Sequence, residues 1–367
     1  MWTKRKCMKR PAGKPLCILG GNPCHQEKKM RKLSLILSVI ILLIVALIIA
    51  FLFLIPRKNV RDIKAVEELE ANASPSDRPG LYVDGLALKH HDGTEVVMHG
   101  INHAHCWYRD KDDVAFKAIA EAGADTVRIV LACGIQWDTD TADSVREAIE
   151  KAHSLGMLVI VEVHDGTGSD DIDVLKEIAS FWYGIADVLK GTEDYVIVNI
   201  ANEWVGKMNS RLWRDGYTTV IPTLREAGIK NVLMVDAAGW GQFGRCIDRY
   251  GVDVFRSDPC ANTMFSVHMY GISGGLKSEI RNNLTSATHH GLCVCVGEFG
   301  YTHSDGNVNE QYLMKYCNEH NIGFLAWSWK GNSGGVEYLD LSLTWDGSEL
   351  SPEWGAPFVE GLDKHKP

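Results

Sequence analysis

Charge is absent from one stretch of this chain and lopsided in the rest. Among the first 32 residues only Glu27 is acidic, against ten Lys and Arg, and Leu33 to Ile55 carry no charge. Beyond that point 46 acids face 28 bases, a balance of −18. The body therefore lacks the basic face that a phosphate backbone requires, which excludes nucleic acid as a partner. It also lacks a glycine-rich phosphate loop after its first strand, which argues against an open, doubly wound nucleotide-binding sheet. No small-x-small cleavage site follows Ile55. The apolar run is therefore not read as a removable signal peptide, whose core spans only about 7–15 residues.

What is present begins with that run, rich in Leu, Ile and Val. A membrane-spanning helix needs about 20 such residues. Lys28, Lys29, Arg31 and Lys32 precede it, with six more bases upstream, and outnumber Arg57, Lys58, Arg61 and Lys64 behind it. This asymmetry predicts a cytosolic N-terminus and a type II membrane protein with an extracellular or lumenal body. The expected organisation is a basic tail over 1–32, a signal-anchor helix over 33–55, a stem over 56–79 and a catalytic domain over 80–362. Two glycosylation sequons, at Asn72 and Asn283, fit that side of a membrane. Cys7, Cys17 and Cys24 fall in the tail, open to palmitoylation. The body holds seven cysteines, so at least one has no intrachain partner. Cys293 and Cys295, two apart in an expected strand, share a face and suit a packed layer better than a metal site.

From about residue 95 an apolar strand, an amphipathic helix and a Gly or Asn stop recur. The strands are expected over Val96–Asn102, Thr126–Leu131, Met157–Val163, Tyr195–Ala201, Val232–Asp236, Met264–Tyr270, Leu292–Glu298 and Gly323–Trp329. Eight alternating units over about 250 residues predict an α/β fold, a closed (β/α)8 TIM barrel preceded by a single transmembrane helix. In such a barrel chemistry gathers where the strands end. Those ends carry Arg128, His164, Asn202-Glu203-Trp204, His268, Tyr270, Glu298, Trp327 and Trp329.

Glu203 and Glu298 close the fourth and seventh strands, across the barrel from each other. Two carboxyl groups about 5–5.5 Å apart support a retaining glycosidase, and about 6.5–9.5 Å an inverting one. The narrow bore of an eight-stranded barrel favours the shorter distance. On this reading Arg128 keeps Glu298 ionised, Tyr270 donates to the same carboxylate, His268 tunes Glu203, and Asn202 holds a sugar 2-hydroxyl while steering Glu203. His103-Ala104-His105 invites a metal-dependent alternative, but the further ligands are missing from the later strand ends, and no metal or cofactor is expected.

These residues sit in motifs that together resemble glycoside hydrolase family 5. Ala201-Asn202-Glu203-Trp204, Val235 through Gln242, Ser266 through Tyr270, Val296 through Gly300 and Leu325 through Asn332 carry the resemblance. Gly100-Ile101-Asn102-His103 and Glu162-Val163-His164-Asp165 agree. The resemblance runs from about 80 to 360. It implies an active site of Arg128, His164, Asn202, Glu203, His268, Tyr270, Glu298 and Trp327, with Glu203 as acid/base and Glu298 as nucleophile. Asn102 and His103 are implied as supporting residues. Trp107, Trp137, Trp204, Trp240 and Trp329 are implied as cleft walls. Trp182 and Trp213 fall in expected helices and are read as core. Within the family, Asp236–Gln242 and Ala326–Asn332 are similar to the bacterial-type endo-β-1,4-mannanases. That implies a mannan, glucomannan or galactomannan substrate, with an endo-β-1,4-glucanase or a non-catalytic carbohydrate-binding barrel as the alternatives. Gly271 stands where such mannanases often carry an acid, and Cys106 where they often carry Thr.

Overall fold

The computed structural model describes residues 23–363. The first 22 residues, with Cys7 and Cys17, lie outside the described residues. Residues to Lys58 form one compact unit and Asn59 onward another. In the first, a helix that begins at Pro23 carries an 18-residue window, Met30–Leu47, with mean hydropathy 2.4 and none of it buried. It is long and apolar enough to cross a membrane.

The second unit is built on eight parallel strands: β1 His99–His103, β2 Thr126–Leu131, β3 Leu158–Val163, β4 Val196–Asn199, β5 Val232–Asp236, β6 Thr263–Met269, β7 Val294–Phe299 and β8 Phe324–Ala326. They close into a barrel in which sequential strands are neighbours and β8 returns to β1. Helices between them cover the outside, so the strands are buried on both faces and read as nearly continuous apolar runs. Alternation sorts the side chains. On β2, Val127, Ile129 and Leu131 pack outward into the main core, whereas Val130 joins Ala132 and Cys106 beneath Trp137 and Trp327 at the mouth.

The expected first strand begins three residues late, because Val96 pairs instead with Leu88 in a small antiparallel sheet. The last ends at Ala326, after which the chain turns across the mouth.

That antiparallel sheet belongs to the floor, the face opposite the mouth. Leu81 N donates to Glu193 O at 2.8 Å and Val83 N to Asn262 Oδ1 at 3.0 Å. Glu193 and Asn262 both precede the strands they lead into.

The stretch read as a stem is not a linker. The helix continues to Asn72, and its part from Asn59 packs on this floor. Val66 is buried in the core, Asp62 lies 3.0 Å from His290, and Glu70 Oε1 accepts from Gly85 N at 2.9 Å. The reason is amphipathy: Ile63 and Val66 share a helical face that meets Gly291, while Lys58 and Glu68 stay in solvent.

The two sequons fare differently. Asn72 is exposed at the helix end. Asn283 is buried within helix Lys277–Thr288, and its Oδ1 accepts from Gly244 N at 3.0 Å. The Asn283 side chain is thus packed into the fold rather than presented to solvent. The seven body cysteines are all free, and Cys293 and Cys295 are buried, the latter with its Sγ 3.5 Å from Met234 Sδ.

Candidate active site

The mouth opens on a cavity of about 900 Å³ lined by residues at or after the ends of all eight strands, with Glu203 and Glu298 at its base. Arg128 organises it from below. The inner position of β2 aims the guanidinium along the barrel axis, where it is fully buried. Nη1 donates to Glu298 Oε1 and Asn102 Oδ1, Nη2 to Asn202 Oδ1, each at 2.8 Å, and Nε to Asn199 Oδ1 at 3.0 Å. Asn102 is itself fixed by donating to the Gly297 and Ala326 carbonyls, both at 3.1 Å. It supports the site from beneath rather than lining the cavity.

Glu298 ends β7. Arg128 holds its Oε1, and Tyr270 Oη donates to its Oε2 at 2.9 Å. Burial pushes the Glu298 carboxyl above the ordinary glutamate value and Glu203 adds to this, while His268 and Arg128 pull the other way.

Glu203, just past β4, sits at φ +42°, a conformation uncommon outside glycine. Its N–H donates to Asp236 Oδ2 at 3.1 Å, which pins that backbone. His268 Nδ1 lies 2.6 Å from Glu203 Oε1 and 3.5 Å from Glu298 Oε2. Its Nε2 is 3.5 Å from Asp236 Oδ2, an ion-pair distance without hydrogen-bond alignment. Burial disfavours the imidazolium, but Glu298, Asp236 and Glu203 outweigh it and lift the His268 pKa well above normal. The reciprocal effect takes Asp236 to about 2: burial opposes ionisation, and His268 and Arg128 overcome it.

Asn202 donates to Thr167 Oγ1 at 2.9 Å and approaches His164 Nε2 at 3.4 Å. His164 is oriented through Nδ1 by Glu162 at 2.9 Å and stacks on Trp327, ring centroids 5.5 Å apart. Trp327 in turn donates Nε1 to Asn332 Oδ1 at 2.9 Å. Trp107 meets Trp137 edge to face at 5.0 Å, completing an aromatic wall on this half of the mouth. Trp137 owes its place to Asp165, whose carboxylate accepts from the backbone N–H groups of Cys133, Gly134, Gln136 and Trp137. Trp240 lines the opposite half.

Two expected wall residues, Trp204 and Trp329, and one expected supporting residue, His103, lie elsewhere. Trp204 is wholly buried, with Nε1 donating to Asp171 O at 2.7 Å and its ring filling the space that Gly216 leaves open. Trp329 is buried with Nε1 on Trp345 O at 3.0 Å. His103 follows the inward Asn102, so alternation turns it outward, where Nε2 meets Asp112 at 3.0 Å and the ring packs on Phe116. His105 also pairs with Asp112, at 2.8 Å, so neither histidine of that pair serves the cavity. Trp182 and Trp213 are core, as expected.

Asp236, Asn199 and Glu162 are site residues the sequence reading passed over. All three lie at inner positions of the strands, and their polarity on otherwise apolar strands was the available signal.

The Gly271 departure also has an explanation. The hairpin Thr302–Asn307 folds over this position, and a Cβ on Gly271 would collide with the Asp305–Gly306 backbone. Asp305 brings its own carboxylate there, accepting from Gly271 N at 2.9 Å and Ile272 N at 3.1 Å.

Among the described residues, Glu203, His268 and Glu298 bring one ligand-type atom each within 4.8 Å of one another. The Arg128 and Tyr270 donors already occupy both oxygens of Glu298, and a buried guanidinium supplies the positive charge. The set thus reads as two carboxyl groups in differently biased surroundings.

The family model for Cellulase (glycosyl hydrolase family 5) matches residues 90–333. The chain belongs to glycoside hydrolase family 5. A mannan endo-1,4-beta-mannosidase from Salipaludibacillus agaradhaerens is 49% identical over 284 residues, covering 77% of this chain and 92% of that protein. One from Streptomyces lividans is 39% identical over 77% of this chain and 74% of its own length. Among solved structures, the beta-mannanase from Thermomonospora fusca superposes with a TM-score of 0.73 at 37% identity, covering 77% of this chain and 94% of that one.

Proposed function

We propose that this family 5 barrel is an endo-acting, retaining hydrolase of β-1,4-linked mannan-type polysaccharide. The observation that carries the chemistry is the approach of the Glu203 and Glu298 carboxyl oxygens to within 4.8 Å. That approach suits direct attack by one carboxylate better than the wider separation an inverting water needs. The mannan preference is supported by the similarity to endo-mannanases.

In this mechanism Glu298 attacks the anomeric carbon while Glu203 protonates the departing glycosidic oxygen. Arg128 and Tyr270 fix the direction of the nucleophilic oxygens and stabilise the carboxylate when the glycosyl-enzyme breaks down. His268 holds Glu203 by Oε1 and leaves Oε2 for the proton. Water then replaces the leaving group, and Glu203 takes its proton as Glu298 is expelled, giving a product of the original β configuration. Asn202, held by Arg128, is positioned to meet the 2-hydroxyl of the sugar at the carboxylates, and His164 and Trp327 bound that sugar's side. No cofactor enters. We further propose that the segment 33–55 anchors the enzyme as a type II membrane protein with the barrel outside the cytosol, where Asn72 is the accessible sequon.

The test is to incubate the purified full-length enzyme in detergent with mannan, glucomannan, carboxymethylcellulose and xylan, following the first-formed anomer by proton NMR. Cleavage of the mannans to a β-anomer is expected. Cleavage of cellulose alone would overturn the substrate, and an α-anomer at first release would overturn the double displacement.

A further inference from the structure

Two loops with little regular structure of their own carry the aromatic wall of the mouth. The loop after β1 runs as two single 3-10 turns, His105–Trp107 and Arg109–Lys111. The loop after β2, residues 132–141, has neither helix nor strand. Short 3-10 turns have poor hydrogen-bond geometry and do little to fix a side chain. Yet Trp107 and Trp137, one from each loop, meet edge to face at 5.0 Å. That meeting requires one loop to be held against the other.

The hold lies behind the wall, in a set of charges that no step of the mechanism uses. His105, Asp112 and Asp140 are all buried there. His105 Nδ1 donates to Asp112 Oδ2 at 2.8 Å, at the start of helix Asp112–Glu121. On the other side of the ring, Nε2 lies 3.2 Å from Ser144 Oγ and 3.3 Å from Asp140 Oδ1. An imidazole with acceptors at both nitrogens carries a proton on each and is a cation. Burial opposes that charge, but Asp112 and Asp140 outweigh it and lift the His105 pKa to about 9. His103 also meets Asp112, but its Nδ1 has no partner among the described residues and burial lowers its pKa, so it stays neutral. Two further ionisable groups lie near. Burial keeps the Cys106 thiol protonated, and Lys151 pairs with Asp113 at 3.0 Å.

Asp140 joins the two loops directly. Its Oδ1 accepts from Arg109 Nε at 2.5 Å and from Ser144 Oγ at 3.2 Å, and its Oδ2 from Ala132 N at 2.9 Å. Arg109 Nη2 donates to Asp138 O at 2.7 Å. His105 and Arg109 thus stand two residues to either side of Trp107, and Asp138 follows Trp137. Two cations face two carboxylates, and removing any one leaves a buried charge without its partner. We infer that His105, with Asp140 and Arg109, is a positioning clamp that sets Trp107 and Trp137 as one rigid wall for the polysaccharide. That the wall meets sugar rests on the function proposed above; the clamp itself does not.

The experiment takes full-length wild type, His105→Gln, Arg109→Gln and Arg109→Lys in detergent. Two indoles held edge to face give an exciton couplet in circular dichroism, and subtracting the spectrum of Trp137→Phe at the same pH isolates this pair. His105→Gln is expected to lose the couplet at neutral pH and to raise KM for mannohexaose about fivefold, with kcat within about twofold. Arg109→Gln, at a partly exposed position, is expected to do the same more weakly, and Arg109→Lys to restore most of the loss. In wild type the couplet is expected to fade as pH rises through 9, where a histidine whose pKa folding has raised gives up its contribution. His105→Gln is expected to show no such step. Couplets unchanged in the variants would overturn the clamp, as would a wild-type couplet that persists well above pH 9. Loss of the couplet with KM unmoved would overturn its part in binding. Should wild type cleave no polysaccharide, the proposed function falls and the couplet alone decides the clamp. Should His105→Gln fail to fold, the two Arg109 variants decide it.

Discussion

Tyr270 donates its phenolic hydrogen to Glu298 Oε2 over 2.9 Å, on the opposite oxygen from the one Arg128 holds. The bond favours the ionised carboxylate, and burial works against it. Tyr270→Phe removes the donor and keeps the ring. The acidic limb of the kcat/KM–pH profile should then move upward, by roughly one pH unit. An unmoved acidic limb would separate Tyr270 from the ionisation of Glu298.

Glu203→Gln keeps the shape of the side chain and deletes its proton. Hydrolysis of mannooligosaccharides, with their poor leaving groups, should slow by about 10²–10⁴-fold. An aryl mannobioside with an activated leaving group should be cleaved to its covalent stage almost as fast as by wild type. Burst kinetics with the activated substrate checks this, and equal losses on both substrates would contradict the acid role.

The domain that folds should begin at residue 59 rather than 80. A chain starting at 80 loses Val66 from the core and uncovers the floor around Gly85 and Gly291. Removing one such apolar side chain from its packing should lower the melting temperature by about 5 °C or more relative to a chain starting at 59. Equal melting temperatures would show that the helix contributes nothing to the barrel.

Burial, reinforced by nearby Asp84, lifts Glu70 on that floor to a pKa of about 7, against the stabilising N–H of Gly85. A folded pKa above the unfolded value gives a contribution fully present below the ordinary value of 4.5 and lost as pH rises through 7. Glu70→Gln keeps an acceptor for Gly85 N and cannot ionise. It should therefore raise the melting temperature at pH 8 and change it little at pH 5. A rise of the same size at both would show that Glu70 is not titrating in the folded protein.

Much of this was legible in the chain. The eight strands announce themselves by short apolar runs between glycine stops. The paired carboxylates stand out because both fall where strands end. What misled was position relative to a strand's two faces. His103 follows an inward residue and so had to point outward, which alternation alone could have shown. Trp204 is next to Glu203 and shares its motif, but leaves the barrel axis for the helix layer. Trp329 is two residues from Trp327, yet the chain has left the sheet by then and no alternation applies. Glu162 sits within its strand, where attention to strand ends overlooks it, and Asp236, although it ends β5, holds Glu203 and His268 from below rather than lining the mouth. Residues 56–79 read as a stem from their mixed charge and the Ser, Pro and Asp that follow, but between Asn59 and Asn72 one helical face, with Ile63 and Val66, packs on the barrel.

The collision between a side chain at 271 and the Asp305–Gly306 backbone makes two parts of the chain, more than thirty residues apart in sequence, dependent on each other. An acid cannot be introduced at 271 by one substitution, because the hairpin already fills its space. The hairpin must first shorten or move, and with it goes the carboxylate that steadies Gln242. Any route from this arrangement to one with an acid at 271 therefore has an enforced order of steps. Its intermediate lacks a carboxylate at this place altogether.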